Sequence, residues 1–390
     1  MDARFAFFLH MYQPPFPVQT REVLDRIINN SYIPLTEEFI RTGHRLSINI
    51  NASLTEMLSN HPTGSQVISN LQKLAENQQI EFLESGAYHP LFPLISSEHI
   101  EIQIKLNNQI NSRILGPNYK PVGFFPPELA LNNKVAKKLS FFDYNYTLAS
   151  DPTYENIGFD KIPFFLHKGK KFFVVRRNRY LSNDIAFKSF STVDAVEKAF
   201  NVGFTPVIGM DWETFGEHHA DYIPFLTKIL NQIPSMPIKE YIDTMIKKDL
   251  IIEIPLEDLR PSSWSTDPND IIHGIPYPLW DNPSNPLHQL ILALMDILDQ
   301  SIDFLNETDR PVDFYKSQQS CQLWWASDGR FGPGLIKRAI SYQVSTLKSV
   351  KQLAESYSNE RKKALDGLLS LGEKLMNKIN YLIDVRTFIK

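Results

Sequence analysis

"GFFPPELALN", residues 123–132, is an apolar run that stops at two prolines, and the first charged residue beyond them is Glu128. The preceding "VGFF" reads as a buried strand and the prolines as the start of a stiff loop. A carboxylate at the end of a buried strand is costly unless it is paired or used. The plainer reading is a helix-terminal acid, favoured by the dipole of "ELALNNKVAKKL".

The same form recurs along the chain. "RFAFFLH" (4–10), "RLSININ" (45–51), "IEFLESG" (80–86), "NYTLAS" (145–150), "KFFVV" (171–175), "FTPVIGMD" (204–211) and "LIIEIPL" (250–256) all read as strands. Helical patterns lie between them, among them "REVLDRIINN", "TGSQVISNLQKLAENQQ" and "SEHIEIQIKLNNQINSRIL". Strand-then-helix repetition predicts an α/β fold with a mostly parallel sheet, and this many repeats favour a barrel over an open sheet. In such barrels the carboxyl ends of the strands carry the chemistry. Here those ends supply His10, Tyr88 with His89, Glu128, Asp151, Asp211 with Glu213, and Trp264.

From about residue 286 the pattern becomes long amphipathic helices with no strands between them, which predicts a helical bundle. The Pro- and Asn-rich "IPYPLWDNPSNP" (275–286) marks the junction. The expected division is a barrel over 1–275 and a helical domain over 276–390 that contributes to the active site.

With 390 residues, the chain exceeds what one compact core usually holds. A net charge of −4 gives no electrostatic reason to expect nucleic acid or an anionic membrane as partner. The single cysteine, Cys321, excludes an internal disulfide framework and a multi-cysteine zinc site. "MDARFAFFLHMYQPP" lacks a basic leader and its apolar run is short, so a cytoplasmic protein is expected. All five tryptophans, Trp212, Trp264, Trp280, Trp324 and Trp325, lie in the second half. Aromatic faces at loop positions suit the C–H faces of sugar rings. Nucleotide-binding and serine-hydrolase fingerprints are absent.

Glu128 and Asp211 form the leading pair of acids. Glycosidic bond cleavage needs one carboxylate as nucleophile or base and a second carboxyl as proton donor. Glu128, framed by Phe and Pro, suits a rigidly held nucleophile, whereas Asp211, between Met210 and Trp212, sits in apolar company that favours its protonated form.

Five regions together resemble glycoside hydrolase family 57, in order along the chain: "LHMYQPP" (9–15), "LESGAYHP" (83–90), "FFPPELA" (124–130), "GMDWETFGEHH" (209–219) and "SCQLWWASDGRFG" (320–332). The resemblance implies an incomplete TIM-like (β/α)7 barrel with a C-terminal helical-bundle domain, and a retaining enzyme acting on α-glucans or related α-linked oligosaccharides. It makes Glu128 the nucleophile and Asp211 the acid/base, and His10, Gln13, His89, Trp212, Glu213, Trp324, Trp325 and Asp328 candidates to hold the sugar. It implies no cofactor and no metal. Where the family often has histidine before the Gln-Pro, this chain has Tyr12, which alters the expected subsite for the reacting sugar.

Trp264, after the last barrel strand, is a further candidate stacking platform. Arg177 and Arg179 follow a strand and are candidate hydroxyl clamps, although charge runs are usually solvated. Two other readings compete. A metal-dependent polysaccharide deacetylase needs a paired-histidine metal site, and no two histidines here are spaced four apart. A barrel that binds glucan without cleaving it would lose a catalytic acid, and both acids are present. Hydrolysis and transglycosylation remain open alternatives within the first reading.

Overall fold

The computed structural model describes residues 4–154 and 156–389. Ten strands join one sheet: β1 Phe5–Met11, β2 Leu46–Ile50, β3 Ile80–Glu84, β4 Gly123–Phe124, β5 Tyr146–Ala149, β6 Ile162–His167, β7 Lys170–Arg176, β8 Val207–Asp211, β9 Ser235–Met236 and β10 Ile251–Glu253. Their order is β10-β6-β7-β5-β4-β3-β2-β1-β8, with β9 also pairing β1. Every pairing is parallel except the β6–β7 hairpin. Lys168 and Gly169 close that hairpin with positive φ at both positions, as a two-residue turn of the mirror-image type requires. The sequence reading misses β6 and β9, the first because its turn is short and the second because it has only two residues.

Two-residue alternation assigns each strand two faces. Phe5, Phe7, Leu9 and Met11 of β1, with Ile208 and Met210 of β8, pack outward against Leu24, Phe39, Leu71 and Leu226 of the surrounding helices. The opposite positions form a second cluster. It joins Ala6 and Phe8 of β1, Leu83 of β3, Tyr146 and Leu148 of β5, Phe164 of β6, Phe173 and Val175 of β7, and Val207 of β8. Strands so far apart in the order meet only because the sheet curls upon itself. The path still has two free edges, β8 and β10, so the structure is the incomplete barrel expected.

The helices follow ordinary local rules. Ser96 caps the helix Ser97–Leu115 by accepting from the His99 amide, and Asn285 caps Pro286–Asp303 by accepting from Leu287 and His288. The described residues part into two compact units: one of 4–87, 92–154 and 156–264, the other of 88–91 and 265–389. The sequence reading sets the junction at 275/276. The second unit packs the helices Pro286–Asp303, Ser341–Ala354 and Asn359–Ile389 around Leu294, Leu298, Val350, Leu365 and Ile379. Within it, the strap Tyr88–Leu91 is fastened by Ser320, whose amide donates to the His89 carbonyl at 3.0 Å, and by a bridge from Pro90 to Gln319. No described helix is long and apolar enough to cross a membrane.

Two interior positions are diagnostic. A Cβ on Gly209 would lie 2.0 Å from the Phe8 ring, so Gly209→Ala is expected to destabilise the protein by about 1–3 kcal/mol in urea unfolding. At the other end of the interior, Glu81 accepts from Tyr146 and, at 3.0 Å, from the Lys239 amide, and burial pushes its carboxyl up to about 7. A folded value above the ordinary 4.5 makes its contribution complete below that pH and progressively lost as pH rises through about 7. Glu81→Gln should therefore gain stability relative to wild type across that window, whereas parallel stability–pH curves would refute the assignment.

Candidate active site

The interior face changes character at one level. Phe8, Ser47, Leu83, Leu148, Val175 and Gly209 are followed, two residues on, by His10, Asn49, Ser85, Ser150, Arg177 and Asp211. All six lie at or just beyond the carboxyl ends of parallel strands, so the apolar filling of the barrel gives way there to a polar layer. Register places His10 beside both Asp211 and Asn49.

His10 is fixed on three sides. Its Nδ1 lies 2.6 Å from Asn49 Oδ1, its ring stacks on Phe125 at 4.4 Å, and Trp264 stands edge-on at 6.1 Å. Burial lowers its pKa to about 4, so the ring is neutral at neutral pH. With Nδ1 donating to the amide oxygen, Nε2 is left in its acceptor form.

Glu128 has φ +62° and Leu129 φ +48°, left-handed values that non-glycine residues rarely hold. The surroundings enforce them. The Trp264 amide donates to the Glu128 carbonyl at 3.0 Å, Leu131 and Ser262 exchange two backbone bonds, and Leu129 and Ala130 bond back to Pro126 and Pro127. The segment 260–264 is itself laced to the β5 end through Thr153 and Ser150. Glu128 is thus clamped between two prolines and a strap carrying Trp264.

Asp211 ends β8 and is partly exposed. Burial of its surroundings raises its pKa to about 6, against the opposing charge of Arg177. Two residues on, Glu213 is 5% exposed and accepts from Gln13 Nε2 at 2.9 Å and from the Tyr32 hydroxyl. Burial first, then repulsion from Asp211, pushes it to about 8, so Glu213 is a neutral acid at neutral pH. Gln13 also accepts from Gln19 and donates to Tyr32, which commits its amide to the protein. Tyr32 carries no signal in the sequence that could have singled it out; only the fold brings it to Glu213.

Several expectations change in the structure. Trp212 is fully buried and packs edge-on to Phe39 in the outer core, because its position faces away from the polar layer; it offers no face to a sugar. Arg177 is 5% exposed, with Nε donating to Gly209 O at 2.6 Å and Nη2 to Asn183 at 2.8 Å, so two of its five donors are committed to the protein. Arg179 pairs with Asp151 at 3.4 Å and lies over the Tyr180 ring. The sheet unit thus gathers His10, Gln13, Glu128, Arg177, Asp211, Glu213 and Trp264 around one end of its interior.

The remaining candidates belong to the helical unit. His89 is buried with Nδ1 2.9 Å from Ser320 Oγ. Trp324 and Trp325 are partly exposed, the former beneath the Arg330 guanidinium at 4.5 Å. Asp328 is exposed and paired with Arg386 at 2.7 Å. Among the described residues no group of three or more His, Cys, Asp or Glu is placed to hold a metal ion.

The family model described as "Glycosyl hydrolase family 57" matches residues 7–259. A relative from Methanocaldococcus jannaschii that carries an alpha-amylase assignment is 25% identical over 285 residues, covering 64% of this chain and 57% of that protein. The chain thus spans little more than half the length of that curated relative. Among solved structures, a family 57 branching enzyme from Thermococcus kodakaraensis superposes with a TM-score of 0.70 at 14% identity, over 94% of each chain. An exo-type maltose-forming amylase from Pyrococcus sp. ST04 gives 0.73 at 14% identity, over 94% of this chain and 82% of that one. At such identities the likeness is one of fold.

The burial of Trp212 makes a distinct prediction. Trp212→Ala should cost about 3–5 kcal/mol of stability by denaturant titration, whereas a change confined to KM would mean that the ring meets substrate.

Proposed function

The chain belongs to glycosyl hydrolase family 57, and from that premise we propose that it is a retaining α-glycosidase acting on α-glucans or related α-linked oligosaccharides. The observation that carries this reading is the enforced left-handed conformation of Glu128, since backbone strain of this kind concentrates where a side chain must be held for chemistry. Glu128 attacks the anomeric carbon while Asp211 gives its proton to the departing glycosidic oxygen. The first step leaves a glycosyl ester on Glu128 and an ionised Asp211. In the second, Asp211 takes the proton of an incoming water or sugar hydroxyl as that oxygen displaces Glu128.

A value near 6 suits both duties of Asp211, because the group is neither strongly acidic nor strongly basic near neutrality. Neutral His10 accepts from a sugar hydroxyl and Trp264 stacks on the ring, both held by the Phe125 cluster. Trp324 and Trp325 are assigned sugar stacking, and His89 and Asp328 hydroxyl binding, from the family resemblance, which their residue types suit. Arg179, at the start of its helix and paired with Asp151, is assigned hydroxyl binding.

Glu128→Gln should lower turnover of maltoheptaose by at least about 10⁴-fold while leaving the unfolding transition in place; activity within tenfold of wild type would sink the assignment. Wild-type product, followed by proton NMR in the first minutes, should appear as the α-anomer. Chromatography separates the two outcomes of the second step: shorter sugars alone indicate water as acceptor, longer or newly branched sugars another glucan.

A further inference from the structure

We propose that Arg177 is a positioning residue for Asp211: its guanidinium, tied to the Gly209 carbonyl on the strand that ends in Asp211 and to Asn183, supplies a fixed positive charge that steadies the Asp211 carboxylate, while Glu213 is held beside it by Gln13 and Tyr32. This inference rests on the reading of Asp211 as acid/base and adds a residue that acts on it without touching sugar.

The geometry leaves Arg177 little else to do. It is the next interior position after Val175, and its side chain is 5% exposed. Nε is spent on Gly209 O, two residues before Asp211, and Nη2 on Asn183 Oδ1. Its plane lies 6.0 Å from the Trp264 ring. The backbone reinforces the placement: the Arg177 amide donates to Ala149 O at 2.9 Å, the Asn178 amide to Val207 O at 2.7 Å, and Ser182 Oγ accepts from the Gly209 amide at 3.1 Å. The guanidinium is thus built into the junction of β5, β7 and β8.

The charged and titratable groups around Asp211 form a short set, which includes Glu128, the other acid of the proposed pair. Arg177 favours its ionised state. Glu213 and Tyr32 face it from the β8 loop and the helical layer, and both are affected by its charge. His10 on β1 is neutral, and Asp151 and Arg179 act on Arg177 from the other side. Glu213 has only neutral hydrogen-bond partners among the described residues, Gln13 and Tyr32, and no cation to ionise it. Were Glu213 ionised, two carboxylates would compete for one guanidinium and Asp211 would remain protonated too long to act as a base. The neutral lock leaves Arg177 to Asp211 on this side.

The test reads Asp211 directly. In full-length protein with carboxyl-¹³C aspartate, the Asp211 resonance is assigned through Asp211→Asn and titrated. Arg177→Gln should move its midpoint up by about one pH unit, a tenfold rise in proton affinity. Asn183→Asp, which neutralises the guanidinium without removing a hydrogen bond, should move it the same way and guards against misfolding of the first variant. Arg177→Lys should hold the midpoint within a few tenths of a unit, and Glu213→Gln should leave it in place. An unmoved midpoint in both Arg177→Gln and Asn183→Asp, or a fall of a unit in Glu213→Gln, overturns the inference. The alkaline limb of kcat/KM on an aryl α-glucoside should follow the same shifts. If the midpoint moves as expected while wild type is inert on every α-glycoside, the proposed function fails and the inference about Arg177 stands.

Discussion

The ring of Phe8 fills the space above Gly209, where a side chain of the neighbouring strand would otherwise stand. This contact needs both a large and an empty position at one level of two adjacent strands, so it fixes how β1 and β8 lie against one another. A slip of one residue would turn every side chain of a strand to its other face. With the register set, Phe8 and Gly209 fill the top of the apolar interior, and the next positions of the same two strands, His10 and Asp211, are brought side by side. The polar layer at the carboxyl ends is therefore a consequence of how the last apolar layer packs.

Glu128 is held by a different device. β4 contributes only Gly123 and Phe124 to the sheet, so the strand itself gives little support to the loop that follows. The support comes from the residues around 262–264, which return after the last strand and bond across the loop at both Glu128 and Leu131. Trp264 is part of that return, and its ring completes an aromatic group with His10 and Phe125. One short segment thus positions an acid by its backbone and lines the site by its side chain.

Much of the strand pattern was legible because buried parallel strands read as compact apolar runs, and their ends as the first polar residues after them. That rule found His10, Glu128 and Asp211 on the sheet. It failed where a residue's face mattered more than its neighbours. Trp212 and Arg177 both follow a strand closely, yet one points into the outer core and the other into the polar layer, and only counting by twos from Ile208 or Phe173 tells them apart. Tyr32 was beyond reach because its partner Glu213, 181 positions away, is brought to it only by packing. Arg177 was read as a clamp for hydroxyls because sequence shows that a charge is present but not that it is buried with Nε and Nη2 bonded to Gly209 and Asn183.

The strap Tyr88–Leu91 bears on the order in which the molecule is made. Its burial in the helical unit requires Gln319 and Ser320, and His89 and Ser320 are 231 positions apart. At ~5–20 residues per second, a ribosome takes roughly ten to forty-five seconds to travel that far. Over that interval Tyr88 and Leu91 have no seat, although the strands on either side of them can already pair. The loop after β3 therefore waits for its partner residues while more than half of the 390-residue chain is still being made.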